Sequence, residues 1–258
     1  MRHRLLGLAA ARAAASATAR ATARATARAT ALAAGVAVGL AVAAQTVAAQ
    51  SAQIIDQGSF TISVNGQRAG REEFRIEGTP TGTGALEYVA RATVVFGDRR
   101  LIPALRSDSM GAPSDYQVES RGTTTGSERW SGKIMRGRVS ARINNARGES
   151  AKEYIVTDGA IILDDDVFHQ YYFAARHAPQ TSVAVVVPRR NAQLVMRLTS
   201  AGNERVTIGT KELEARHLVL TEASGATRDV WIDGKGRVLK VAIPSRNIVA
   251  LRDDPPAP

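Results

Sequence analysis

Few residues in this chain offer chemistry. Asp164-Asp165-Asp166 and His169 form one titratable cluster, with Asp165 and His169 four apart as two ligands on one helix face would be. Two ligands fall short of the three protein ligands of a catalytic zinc site. The plainer reading is an acidic helix N-terminus beside a surface histidine, and no metal is expected. Beyond the first 49 residues the histidines are His169, His177 and His217, and no Gly-x-Ser-x-Gly elbow occurs. His217 falls within an alternating segment and reads as a surface or edge residue. Asp233-Gly234-Lys235-Gly236 lacks the Ser/Thr after Lys and the strand-loop-helix setting of a phosphate loop, so it reads as a hairpin turn. Arg189-Arg190, after Pro188, either pairs with an anionic group or is a solvated basic pair. The absence of cysteine excludes disulfides, thiol catalysis, Cys-ligated zinc, iron-sulfur clusters and a lipidated N-terminal Cys. These residues predict no catalytic group and no cofactor.

Aromatic side chains are the other candidates. Trp130, Phe168, Tyr171, Tyr172 and Trp231 are the residues expected to line an apolar ligand site, if a curved sheet leaves a concave space. The alternative is that Phe168, Tyr172 and Trp231 are core, since aromatics make up only 5% of the chain.

The elements that must position them follow from charge and periodicity. The 34 Lys and Arg and 24 Asp and Glu give +10 over 258 residues. Six of those arginines and no acid fall within residues 1–49, leaving 28 bases against 24 acids in the rest. A nucleic-acid binder would carry its basic stripe on the folded part; here bases and acids are interspersed, and no nucleic-acid partner is expected. Residues 1–30 are basic and repeat Ala-Arg-Ala-Thr three times, then come the apolar run Ala31–Ala44 and the small residues Val47-Ala48-Ala49. That order is the n-region, h-region and cleavage site of a secretory signal helix, with the cut between Ala49 and Gln50. The apolar run is shorter than the ~20 residues needed to span a bilayer, so no stable span is expected after cleavage. An organelle transit peptide, or a start codon further in, is the alternative. The expected location is periplasmic or extracellular.

Residues 50–252 read as a single β-rich domain and 253–258 as a disordered tail. Phe60, Ile62 and Val64 alternate with polar residues and end in Asn65-Gly66, the pair suited to a type I′ hairpin turn. Leu86–Phe96 carries its apolar residues on even positions, one face of a pleat. Shorter alternating runs surround Tyr116, Val139, Met196, Val206 and Val230, separated by turn residues that include Ala201-Gly202-Asn203. The expected fold is mainly β: one antiparallel, strongly curved sheet, an open or half barrel. Val167/Phe168 and Tyr171/Tyr172 recur four apart, which predicts one helix over about 164–176 packed across it.

This pattern resembles the exported half-barrel proteins related to the LolA/LolB lipoprotein carriers, which include domain families of unknown function. The features that carry the resemblance are the signal, the opening hairpin Ser63-Val64-Asn65-Gly66-Gln67-Arg68-Ala69-Gly70, and the closing segment Val230-Trp231-Ile232-Asp233-Gly234-Lys235-Gly236-Arg237-Val238-Leu239-Lys240-Val241. It spans most of residues 54–252 as a pattern. It implies an incomplete barrel with a helical lid and an acyl chain or other apolar ligand inside, and brings no catalytic residues. The lipidated Cys of the outer-membrane receptor type is missing, which implies a soluble exported protein. The expected function is non-enzymatic binding of a lipid or acyl chain in the half-barrel cavity. The alternative is a structural or interaction protein of the cell envelope with a filled core, meeting a protein partner.

Overall fold

A computed structural model describes residues 51–124 and 126–258. The expected signal helix and its cleavage site at Ala49 and Gln50 lie outside the described residues. The strands are β1 (Gln53–Val64), β2 (Gln67–Pro80), β3 (Leu86–Phe96), β4 (Arg99–Ser107), β5 (Pro113–Gly122), β6 (Gly126–Met135), β7 (Arg138–Asn145) and β8 (Gly148–Ile155). After them come β9 (Ile161–Ile162), β10 (Thr181–Val187), β11 (Ala192–Ile208), β12 (Lys211–Glu222), β13 (Thr227–Ile232), β14 (Val238–Ile243) and β15 (Ile248–Arg252). Among the described residues a single short α-helix, α1, spans Tyr171–Ala174.

All fifteen strands belong to one sheet, in the order β8-β7-β6-β5-β4-β3-β2-β1-β15-β14-β13-β12-β11-β10-β9. Two meanders therefore run outward from a central seam, where β1 pairs β15 from Phe60↔Arg252 to Val64↔Ile248. Only β9 and β10 pair in parallel; every other neighbour is antiparallel. The sheet is curved and does not close, and β8 and β9 are its edges.

Local sequence accounts for the hairpins. Asn65 and Gly66 take φ of 51° and 76°, the two positive angles of a type I′ turn. In β3 the even residues Tyr88, Ala90, Ala92 and Val94 are buried and Arg91 and Val95 are exposed. Even positions in β1 and β2 likewise point inward, giving stacked Phe60 and Phe74 with ring centroids 5.1 Å apart.

Two sequence expectations differ from the structure. Ala201-Gly202-Asn203 is not a turn but lies within the 17-residue strand β11, where the pairing with β12 shifts register between Ser200 and Gly202. Such a bulge flips the side-chain parity. Met196 and Leu198 accordingly face the main core, while Val206 and Ile208 join a second cluster with Ala215, Trp231 and Leu239.

The helix expected over 164–176 is confined to Tyr171–Ala174. Asp166 adopts φ of 61°, which no right-handed helix accommodates. Glu72 takes the backbone N–H groups of Phe168 and His169 at 2.6 and 3.1 Å, the groups a helix would bond to carbonyls four residues back. The apolar pairs recur four apart because the segment is buried on every side.

That segment, residues 156–175, fills the inside of the curved sheet. Ile161, Leu163, Phe168, Phe173 and Ala174 are at most 1% exposed and share one hydrophobic cluster with the inner faces of β1 to β7 and β10 to β15.

At the C-terminus, Asp253 is placed against β1. Its N–H donates to Ser59 O at 2.9 Å, and its carboxylate accepts from the Ser59 and Thr61 hydroxyls at 2.6 and 2.7 Å and pairs with Arg71 at 2.8 Å. Partial burial acts against the charge, but these hydroxyls and Arg71 hold the carboxyl below its usual range. A depressed folded pKa gives stabilisation that is present above the unfolded value of about 3.9 and lost as pH falls through the folded one. Asp253→Ala is expected to lower stability by about 1 kcal/mol at pH 7. Urea titrations should show this deficit shrinking below pH 4; a deficit unchanged down to pH 2 would rule out the carboxylate as the clamp.

Candidate functional site

The polar side chains buried under the sheet belong to the filling segment and to the strands that face it. Glu72 is fully buried on β2, in the inward parity of Phe74 and Ile76. Besides the two backbone N–H groups, its carboxylate meets His169 Nδ1, and the imidazole stacks on Phe74 at 5.9 Å. His169 Nε2 and Gln170 Nε2 are buried without a hydrogen-bond partner among the described residues.

Asp164 accepts from Tyr116 Oη on β5 and from Arg189 Nε after β10, both at 2.8 Å. Burial pushes its carboxyl above the usual range against the pull of Arg189, and burial beside Asp164 pushes the Tyr116 hydroxyl well up. Asp165 pairs with Arg190. Asp166 is gripped by Arg99 at 2.8 Å and Arg246 at 2.6 Å. The triple acid is thus an internal counter-ion for arginines from three parts of the sheet. The Arg189-Arg190 pair has its anion within the same chain.

Asp165 and His169 do not converge: one faces Arg190, the other Glu72. Among the described residues no three His, Cys, Asp or Glu side chains gather as a metal site would require. Asp233 Oδ1 accepts the N–H groups of Lys235 and Arg237 at 2.9 and 2.8 Å, closing the β13–β14 hairpin turn.

The structure brings four of the five candidate aromatics into one core. Trp130 lies against Tyr116, with ring centroids 5.6 Å apart, and its indole covers Gly132, where a Cβ would meet the ring at 2.4 Å. Phe168 is buried at the Glu72 turn. The Tyr171 hydroxyl accepts from Arg228 at 3.3 Å. Tyr172 accepts from Arg176 at 2.9 Å and packs near Tyr88; burial pushes its hydroxyl up to about 12 against the pull of Arg176.

Trp231 is placed elsewhere. Val230 and Ile232 face the main core, so Trp231 between them points to the other face of the sheet. There its ring stacks on His217 at 4.3 Å and lies 4.2 Å from Lys240 Nζ, and Nε1 donates to Glu204 at 2.7 Å. His217 lies on the interior strand β12, with each ring nitrogen 2.9 Å from a carboxylate oxygen, of Glu204 and Asp229. An inner-face ligand would therefore not touch Trp231.

Between the filling segment and the sheet, a gap of about 10 Å³ is lined by Asp164–Phe168, Tyr171, Arg228, Ile243 and Arg246. That is close to the least space that holds one water. Larger concavities open to solvent, among them one of about 160 Å³ beside that gap, lined by Asp165, Arg190, Glu222, Arg228 and Arg246. Sequence reasoning missed Glu72, Arg99, Arg228 and Arg246.

No protein-family model matches the chain. No curated protein matches it. One solved structure does, a DUF1089 family protein from Pseudomonas aeruginosa, with 13% identity and a TM-score of 0.36, covering 73% of this chain and 90% of that one. That neighbour has a β-sheet fold of unknown function, and the similarity shows no link to the LolA/LolB carriers.

Proposed function

We propose that this is an exported, non-enzymatic interaction protein of the cell envelope, with a filled core and no internal small ligand. The observation that supports this reading is the occupancy of the concave face by residues 156–175. Burying a large apolar side chain stabilises by about 1.5–3 kcal/mol. Exposing Leu163, Phe168 and Phe173 alone would thus cost roughly 5–9 kcal/mol, comparable with the ~5–15 kcal/mol that keeps a whole domain folded. A segment bound so strongly acts as core, and an acyl chain would have to replace it rather than slip beneath it.

The surface offered to a protein partner is the edge strand β8. Nearly all of its residues are exposed, Ile155 by 78%, and Met135 in the same cross-strand row by 69%. An edge whose outer backbone groups are unpaired among the described residues, with an apolar end at Ile155, suits the addition of a partner strand.

Native mass spectrometry tests this directly. The full chain, expressed through an export pathway and purified without detergent, should give a clean protein mass that is unchanged by incubation with lipid extract. A stoichiometric co-purifying lipid would overturn the filled-core reading in favour of a carrier.

A further inference from the structure

Three successive hairpins at one end of the sheet each contribute one arginine to a common recess. Arg190 lies in the turn between β10 and β11, Arg228 opens β13 just after its hairpin with β12, and Arg246 lies between β14 and β15. Arg190 and Arg246 come from two copies of one turn, Pro188-Arg189-Arg190-Asn191 and Pro244-Ser245-Arg246-Asn247. In both, the asparagine takes φ of 51° and its N–H bonds back to the proline carbonyl, at 2.9 and 3.0 Å. Matched turns on either side of Arg228 thus present matched guanidinium groups.

We propose that this recess binds one singly charged oxyanion group, a carboxylate or a phosphodiester, as the head group of a ligand whose remainder lies in solvent. Charge sets the valence: Arg190, Arg228, Arg246 and Arg99, which shares Asp166 with Arg246, face the carboxylates of Asp165, Asp166 and Glu222, leaving one positive charge. Donor supply agrees. Each guanidinium carries five N–H groups; among the described residues Arg228 donates to Tyr171 and Glu222, Arg246 to Asp166 and Arg190 to Asp165. The Arg246–Asp165 approach, at 3.9 Å, is too long for a hydrogen bond. Arg228 is only 7% exposed, so its remaining donors are held in place before a ligand arrives. Size sets the extent: about 160 Å³ is well below the ~300–1,000 Å³ of sites that enclose a whole small molecule.

The test is a titration of the full chain with dimethyl phosphate or acetate, at ionic strength matched with sodium chloride, followed through the arginine Nε–Hε NMR resonances. A saturable shift of Arg228 with either anion and not with chloride is expected. Saturation by acetate alone identifies a carboxylate head group, by dimethyl phosphate alone a phosphodiester, and by both the shared oxyanion chemistry. Arg190→Gln alters a half-exposed side chain, spares the buried Asp164–Arg189 pair, and should weaken binding about tenfold. No saturation with either anion, or an affinity in both Arg190→Gln and Arg246→Gln equal to that of the parent, would overturn the site.

Discussion

Glu72→Ala is expected to destabilise the protein by about 3–5 kcal/mol, since each buried donor left without an acceptor costs about 1–3 kcal/mol. Three groups lose their acceptor at once: the Phe168 and His169 backbone N–H groups and the His169 ring. None can turn to water, because Glu72, Phe168 and His169 are at most 1% exposed. Glu72→Gln keeps one carbonyl acceptor of similar shape, so its loss should be clearly smaller. Equilibrium denaturation in urea measures both, through the midpoint at unchanged slope. A loss below about 1 kcal/mol for Glu72→Ala would mean that the 164–170 turns hold their conformation without this carboxylate.

Phe173→Ala carries the second large effect, again about 3–5 kcal/mol. Its ring is fully buried, perpendicular to Tyr88 at 6.2 Å and to Tyr172 at 5.4 Å, and its Cβ closes on Gly111. A peripheral lid would lose little stability on truncation, whereas a core residue leaves a cavity. Thermal unfolding separates the two: a domain of this size shifts by roughly 2–4 °C per kcal/mol. A Tm within one degree of the parent would restore the lid reading.

The strands were legible wherever one face is wet. Leu86–Phe96 and Phe60–Val64 alternate strictly, because one side packs and the other meets solvent. The 164–176 segment misled because periodicity reports burial, and full burial imitates a helix whenever apolar pairs fall four apart. What ended the helix was a side chain 96 residues away, Glu72 on Phe168 N, which no local pattern contains. Part of the polar network was nevertheless readable. Glu72 shares the parity of Phe74 and Ile76, and Arg228 that of Val230 and Ile232, so alternation alone points both inward. The same rule turns Trp231 away from the core. The matched Pro-x-Arg-Asn turns were also visible as a repeat. Which acid each arginine meets was not, because those partners join only through the tertiary fold.

The seam between β1 and β15 has a consequence for the order of assembly. Each arm of the sheet zips up from hairpins between sequence neighbours, which close quickly. The junction of the arms instead joins Thr61 to Asp253, 192 residues further along the chain. Its loop-closure entropy must be met before any contact there rewards it. The middle of the sheet is therefore a keystone, set last, and two finished arms wait on the final strand of the chain.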